Sequence, residues 1–480
     1  MIVTDRENAR ITTVIQGSSA RVTDLAWGLL LERLVRHGHD GGNFSRQKIA
    51  VIGAGISGLS AAWLLARRHD VTLYDRESRL GGHSNTSIVH EHAGEVAVDT
   101  GFIVFNPLNY PNLTRLFDHL GVETAPSDMS FAVSLDGGSL EYGGGSLSSL
   151  FAQRRNLASP RFWSMLRDLT RFYRSAPKAL RAGLDEGTSL GEFLARYGYG
   201  DAFTRDHLLP MAGAIWSSAP ETLASYPAAA FIRFFENHGL LKLSDRPPWR
   251  TVAGGSRRYV EKLAQGIANC RTGARVDSVR REGGQVIVTA GGEAEVFDRV
   301  LIATHADEAL AILADPSAQE RELLTPFGYT RNTAVLHTDA RLMPRRRQVW
   351  SSWNYLGERA GAHRDVCVTY WMNRLQPLAT ATDYFVTLNP VTPPAAGSVV
   401  ATYEYDHPVF TSAAMAAQRR LGDLQGRCNT WFAGAWFGSG FHEDGLRSGL
   451  DAAEAMGAGE RPWACSAAAR EAWSPEEAAA

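Results

Sequence analysis

Lys48-Ile49-Ala50-Val51-Ile52-Gly53-Ala54-Gly55-Ile56-Ser57-Gly58, continuing to Asp70-Val71-Thr72-Leu73-Tyr74-Asp75, decides the fold of this chain. The apolar run 49–52 suits a strand buried on both faces. Residues 59–66 are helix-forming, and 70–74 return to strand character. A strand, a glycine-rich turn, a helix and a second strand ending in an acid describe a dinucleotide-binding βαβ unit. Gly53 allows the tight turn, Gly55 lets the backbone approach a pyrophosphate, and Gly58 lets the helix pack close to the strand. Donors at the helix start, from Ile56 and Ser57 onward, then face the phosphates. Asp75, twenty positions after Gly55, is placed to accept hydrogen bonds from an adenosine ribose and disfavours the extra phosphate of NADP. The expected ligand is a dinucleotide with a free ribose, FAD or NAD.

The segment after the second strand bears on the choice between them. Arg79-Leu80-Gly81-Gly82-His83-Ser84-Asn85-Thr86 comes first, then a hairpin with its turn near 91–94, then Val98-Asp99-Thr100-Gly101. This resembles the glycine-doublet extension of the FAD-dependent amine oxidase, protoporphyrinogen oxidase and carotenoid desaturase superfamily. Thr430-Trp431-Phe432-Ala433-Gly434 followed by Glu443-Asp444-Gly445-Leu446 resembles that superfamily's closing strand and helix, whose N-terminus meets the pyrimidine side of the flavin. Val252-Ala253-Gly254-Gly255-Ser256, Ala274-Arg275-Val276 and Val300-Leu301-Ile302-Ala303-Thr304 resemble its middle segment. The resemblance implies FAD. It also implies cofactor contacts from Gly53, Gly55, Ile56, Ser57, Gly58, Asp75, Arg79, Gly81, Gly82, His83, Val276, Gly434, Glu443, Asp444, Gly445 and Leu446.

The implied fold class is α/β, with an amine oxidase/glutathione-reductase-like flavoprotein architecture. A discontinuous Rossmann-like FAD-binding domain is expected from 46–105, 250–305 and 428–460, and an α+β substrate domain from 106–249 and 306–427. Helices are expected at 160–173, 190–197 and 228–237, and strands at 333–337, 366–371, 385–388 and 399–405, with a sheet of the substrate domain roofing the flavin. Residues 1–45 read as a flexible extension or a short amphipathic helix, and 461–480 as a flexible tail.

Further motifs narrow the resemblance. Met211-Ala212-Gly213-Ala214-Ile215-Trp216, Trp350-Ser351-Ser352-Trp353-Asn354-Tyr355, Thr369-Tyr370-Trp371-Met372-Asn373 and Gly440-Phe441-His442 look like a bacterial group of amine-oxidase-like flavoproteins. That group is similar to the flavin domain at the N-terminus of plant cyclopropane fatty acid synthases. The resemblance implies an FAD-dependent oxidoreductase acting on a largely apolar substrate, a phospholipid acyl chain, in concert with a cyclopropane-synthase-type methyltransferase. The alternatives are an oxidase or desaturase of a small amine or alicyclic compound, and a redox-quiet flavin-binding partner of a lipid methyltransferase.

Composition agrees with an ordinary globular protein: 480 residues, 44% hydrophobic and 21% charged. A net charge of −2 gives no electrostatic case for nucleic acid. Cys270, Cys367, Cys428 and Cys465 form no C-x-x-C pair, which suits a reducing cytoplasm and predicts neither a zinc site nor a disulfide framework. No run reaches the roughly 18 apolar residues of a membrane span, so the expected location is cytoplasmic, with peripheral contact at the inner face of the membrane. No signal peptide is expected.

A flavin takes electrons at its own ring, so no catalytic triad is needed. The amine oxidase lysine that holds a water near the flavin has no counterpart, because no lysine follows Lys262 and the corresponding region reads Tyr329-Thr330-Arg331-Asn332-Thr333. His83 stands where an arginine commonly follows the glycine doublet, which shifts pyrophosphate work to Arg79 or backbone donors. His442, beside the closing helix, is the titratable candidate for catalysis, or else a group that caps that helix. Tyr370 and Trp371 are candidates for substrate walls, together with Trp216, Trp350, Trp353 and Tyr355. Arg345-Arg346-Arg347 reads as a phosphate contact at the mouth of an apolar tunnel or as a solvated loop. His337-Thr338-Asp339 and His90-Glu91-His92 read as strand ends and turns, and no metal is expected.

Overall fold

Five parallel strands meet in the order Thr430–Phe432, Arg299–Ile302, Lys48–Ile52, Asp70–Tyr74 and Asn269–Arg271 in the computed structural model. The structure describes residues 46–216, 220–242, 247–358 and 367–464; the extension 1–45, Val366, Ser217, Cys465 and the rest of the tail lie outside them. Val51 sits opposite both Leu73 and Leu301, and residues 49–52 are buried on both faces, which accounts for the unbroken apolar run.

Helix Ile56–Leu65 is buried along all ten residues, because the closing helix His442–Ala455 covers its outer side. Glycines permit that crossing. A Cβ on Gly445 would lie 2.9 Å from Ile56 Cγ2, and one on Gly449 would lie 2.1 Å from Ser57 O. An antiparallel three-stranded sheet, Val276–Glu282, Gln285–Ala290 and Glu293–Phe297, inserts just before strand Arg299–Ile302 in chain order.

A seven-stranded sheet forms the second layer, in the order Val399–Val409, Gly328–His337, Phe385–Leu388, Cys367–Trp371, Trp353–Gly357, Phe131–Leu135 and Leu140–Gly143. Its pairings are antiparallel except between Trp353–Gly357 and Phe131–Leu135. The first two strands are longer than their apolar cores suggest, since Gly328 pairs as far out as Val409. Strand pairing extends into exposed residues whose own pattern carries no strand signal.

Helices flank this sheet. Pro160–Arg181 starts at a Ser159 cap with proline in its first turn, and runs on past Tyr173 to Arg181. Leu190–Arg196, Leu209–Trp216 and Ala228–Asn237 pack with it around Phe172, Phe193, Phe231 and Phe235. The expected hairpin is present as Thr86–Glu91 paired with Gly94–Asp99.

Candidate active site and cofactor channel

A cavity of about 1380 Å³ opens at the carboxyl ends of the parallel strands, where Ile52, Tyr74, Ala303 and Gly434 line it, and extends to the seven-stranded sheet. Gly53 has φ +99°, and a Cβ there would lie 2.7 Å from Ala303 O. A Cβ on Gly58 would lie 1.8 Å from Gly53 O. Gly55 differs, since a Cβ there would meet nothing within 4 Å. The doublet residue Gly82 returns against this turn, its Cβ direction reaching 3.0 Å from Gly55 Cα. Helix Ile56–Leu65 has no side-chain cap and no acid in its first turn, so its leading N–H groups remain available to a ligand.

Asp75 lies beyond the turn. Its Oδ2 accepts from Ala54 N at 2.6 Å and its Oδ1 from Glu77 N at 2.8 Å, and both oxygens keep acceptor capacity. Burial raises its pKa, while these backbone bonds act the other way. Arg79 donates to Gly82 O at 2.8 Å, which fixes its guanidinium beside the doublet. Arg275, Val276 and Glu308 line the far end, with Arg76 paired to Glu308. Open space over Gly55, uncapped helix donors and an acid lining the cavity beyond the turn, which would hold the ribose, fit FAD. When bound, FAD supplies the electron-accepting chemistry.

At the opposite end His442 lines the cavity. Its ring stacks on Phe102 at 3.9 Å, and its Nε2 lies 2.6 Å from Tyr259 Oη and 3.3 Å from Ser84 Oγ. Burial pushes its pKa down to about 3, so the ring is neutral at neutral pH. His442 therefore meets Ser84 and Tyr259 as a neutral ring at the start of the closing helix.

Tyr403, Tyr405 and His407 alternate along strand Val399–Val409 and share the cavity face. The Tyr403 hydroxyl pairs with Ser87 Oγ at 2.6 Å, and the Tyr405 hydroxyl with Thr100 Oγ1 at 2.8 Å and Asn85 Nδ2 at 3.0 Å. A directional chain sets the His407 tautomer. Thr333 N–H donates to Asn389 Oδ1, whose amide donates to Asn332 Oδ1 at 2.7 Å. The Asn332 amide therefore faces His407 Nδ1, at 3.0 Å, as a donor. Nδ1 accepts, and the proton of the neutral ring sits on Nε2. His83 lies between Tyr405 and His407, with ring centroids at 5.0 and 5.5 Å. Among the described residues no group of three or more His, Cys, Asp or Glu is placed to hold a metal.

A pH dependence arises from His442. Between about pH 6.5 and its lowered value, the unfolded chain binds a proton that the folded chain does not, so stability contributed by the neutral ring is lost as pH falls through that window. The loss is at most ~1.4 kcal/mol per pH unit. Buried carboxyls act in the opposite sense: Asp99, raised to about 6, and Glu443, raised to about 7, add stability as pH falls. The comparison is therefore made against His442→Phe. Urea unfolding of the flavin-free proteins at pH 7.5 and 5.0 is expected to move the stability difference towards the variant at the lower pH; an unchanged difference would refute the buried neutral ring.

The arm reaching the seven-stranded sheet is apolar, with Met129, Phe131, Met211, Ile215, Trp353 and Tyr370 on its walls. Tyr370 meets Trp353 edge-on at 4.8 Å. Trp371, the alternate residue on the same strand, points the other way and does not line the cavity. It packs against Trp350 at 5.4 Å and donates from Nε1 to Asp383 at 2.9 Å. Trp350 and Tyr355 likewise belong to packed clusters, whereas Trp216 does line the cavity. Arg346 pairs with Glu141 at 2.6 Å, Arg347 with Asp383 at 3.2 Å, and Arg345 donates its backbone N–H to Glu141; none of the three is at the cavity.

The expected cofactor contacts divide. Gly53, Gly55, Ile56, Ser57, Asp75, Arg79, Gly82, His83, Val276 and Gly434 line the cavity. Gly58, Gly81, Glu443, Asp444, Gly445 and Leu446 are not among its walls. Glu443 turns away to the start of helix Pro111–Leu120, where it accepts from Asn112 N at 2.9 Å and Leu113 N at 3.0 Å. Asp444 accepts from Ser439 N and Phe441 N and lies 3.6 Å from Arg447, bracing the loop before its own helix. Gly81, at φ +108°, shapes the doublet turn from behind. His337 bridges Asp339 N and Thr387 Oγ1, and His90 pairs with Glu95, as strand-end residues do. His83 was singled out from the sequence, whereas His407 and the Asn332–Asn389 pair were beyond sequence reasoning, although the alternation of Tyr403, Tyr405 and His407 marks one strand face.

The family model of flavin-containing amine oxidoreductases matches residues 56–347. Among solved structures, the chain is similar to the CLA-producing fatty acid isomerase from P. acnes, at 16% identity and a TM-score of 0.61. It is also similar to cyclohexylamine oxidase from Brevibacterium oxydans IH-35A (18%, TM-score 0.60) and to putrescine oxidase (15%, TM-score 0.60). Each alignment covers 86% of this chain and 99% of the other. With the family matched over more than half its length and a channel that fits the dinucleotide, this chain belongs to the flavin-containing amine oxidoreductase family and is an FAD-dependent oxidoreductase.

Proposed function

We propose that the enzyme acts on a largely apolar substrate, an acyl chain of a membrane phospholipid, in concert with a cyclopropane-synthase-type methyltransferase at the inner face of the membrane. The supporting observation is the apolar arm itself. Away from the cofactor end, no Lys or Arg is among the described lining residues. A free carboxylate would find no cation there, whereas a hydrocarbon chain needs none. The similar fold of a protein described as a fatty acid isomerase is consistent with an acyl chain beside this kind of site. Among the described residues no helix is long and apolar enough to cross a membrane, so the lipid is reached from one side.

One observation favours a second reading, oxidation of a small amine. Asp128 lines the cavity with a lowered pKa: burial raises it, but bonds from Ser130 and Ser352 and the Arg374 guanidinium at 3.3 Å outweigh that effect. An ionised carboxylate there could meet an ammonium group, although Arg374 already balances its charge. Anaerobic titration of the flavin's visible band separates the readings. Bleaching by monounsaturated or methyl-branched phospholipid, with amines inert, is the expected result. Bleaching by putrescine or cyclohexylamine alone would replace it with the amine reading. A flavin inert to both, with methyltransferase activity dependent on the protein's presence, would assign a supporting role.

A further inference from the structure

We propose that one face of helix Pro160–Arg181 docks the enzyme on an anionic phospholipid surface. Trp163, Arg167, Arg171, Arg174, Lys178 and Arg181 are all exposed, and their spacings of three and four residues keep them on one side of the helix. Five of the six are cations, in a chain whose net charge is −2. The helix's one acid, Asp168, is buried, and Arg167 and Arg171 each reach it at 3.4 Å. Among the acids around it, Glu236 pairs with Arg181, Asp201 with Arg161 and Arg205, and Glu186 with Arg419, while Asp185 past the helix end accepts from Thr188 Oγ1.

Arg167 reaches Asp168 at 3.4 Å, and Arg171 donates to the carbonyls of Tyr197 and Gly198. The side chains of Arg174 and Lys178 form no ion pair or hydrogen bond with any described residue, and both border a shallow groove on this face. Unpaired cations on a regular helix face are a surface for a polyanion.

The apolar half of the surface adjoins the helix start. Trp163 is 50% exposed and Leu157 52%, unusually high for side chains of this size. The Trp163 indole N–H donates to Leu157 O at 2.8 Å, which joins the two. A tryptophan and a leucine beside a row of arginines match the two zones of a bilayer surface, acyl boundary and phosphate layer. Nucleic acid would use the cations but give Leu157 nothing to bury against. The same helix turns Tyr173 into the cavity wall. Membrane contact on one side and substrate space on the other thus share one rigid element.

The proposal rests on the lipid reading, and its test is independent of turnover. FAD-loaded full-length protein is mixed with vesicles of phosphatidylcholine alone and of phosphatidylcholine with phosphatidylglycerol, and the bound fraction is measured by sedimentation. Binding to the anionic vesicles only, weakening as salt rises, is expected. Arg174→Glu combined with Lys178→Glu should lower vesicle affinity at least tenfold, and Trp163→Ala should weaken it while leaving the salt dependence in place. Both changes lie on the exposed surface, and flavin content reports that the variants are folded. Equal binding by the charge-reversed variant, no vesicle binding by the wild type, or tighter binding to a single-stranded oligonucleotide would overturn the surface. Detergent-dispersed phospholipid keeps the two ideas apart. If it bleaches the flavin while vesicles are not bound, the docking face fails alone; if vesicles are bound and no lipid bleaches the flavin, the substrate reading fails alone.

Discussion

Gly55→Val is expected to fold and to bind no FAD. The backbone at Gly55 has φ −69° and ψ −176°, an extended conformation open to any residue, and its Cβ direction meets no protein atom within 4 Å. The added isopropyl group therefore strains nothing in the protein and occupies the space over the uncapped helix start. Gly53 and Gly58 behave differently. A side chain at Gly58 would collide with Gly53 O at 1.8 Å, and Gly53 itself requires φ +99°, so replacements there damage the strand–turn–helix unit directly. FAD titration of the flavin-free protein should show affinity for Gly55→Val reduced by at least ~100-fold, or ~2.7 kcal/mol. Its thermal midpoint without flavin should stay near that of the wild type, while Gly58→Val unfolds. Stoichiometric FAD in Gly55→Val would mean that the pyrophosphate does not cross this turn.

The second large effect is at Asp99, which is 1% exposed. Its carboxylate accepts from Thr86 Oγ1 at 2.6 Å, Ser256 N at 2.9 Å, Ser256 Oγ at 2.8 Å and Gln376 Nε2 at 2.8 Å. Its own N–H donates to Gln376 Oε1 at 2.9 Å. One side chain thus joins the end of the hairpin, the turn at Gly254 and Gly255, and a segment near the seven-stranded sheet. That turn is tight against the hairpin, since a Cβ on Gly255 would lie 2.5 Å from Thr86 Cγ2. Asp99→Ala leaves several buried donors without an acceptor, at roughly 1–3 kcal/mol each, for a total on the order of 4 kcal/mol. Asp99→Asn is expected to be nearly as damaging, because the Ser256 backbone N–H faces both carboxylate oxygens and can only donate, so an amide NH2 at either position meets it donor to donor. Urea unfolding at pH 7.5, where the carboxyl with a pKa raised to about 6 by burial is ionised, measures both. An Asn variant close to wild type would show that shape rather than acceptor capacity holds the junction.

The order of the motifs makes much of this molecule legible. Strand Lys48–Ile52, its glycine turn, helix Ile56–Leu65 and strand Asp70–Tyr74 stand where the residues indicate, because each requirement is local. A positive φ, a close approach or a doubly buried strand leaves a mark within a few positions. Ala228–Asn237 and Phe385–Leu388 are read equally well from their own periodicity. The cofactor is legible for the same reason, since a pyrophosphate needs backbone donors and absent side chains, and glycines record both.

Partner choice obeys another rule. Trp371 and Tyr370 are equivalent in the sequence, and only the pairing of Cys367–Trp371 between its neighbours decides which of them faces the cavity. Glu443 looks available to a flavin until helix Pro111–Leu120 arrives with its unpaired N–H groups. The His407 tautomer depends on Asn332, which reaches it from a neighbouring strand, and on Asn389, just past the end of another, which orients the Asn332 amide. The sequence by itself determined the dinucleotide unit, the cofactor class and the spacing of the cations along helix Pro160–Arg181. The tertiary structure decided which side chains enter the cavity, which carboxylates are engaged elsewhere and which cations stay unpaired, because backbone conformation is set by neighbours along the chain, whereas burial and hydrogen-bond partners are set by segments that meet only when the sheets and helices pack.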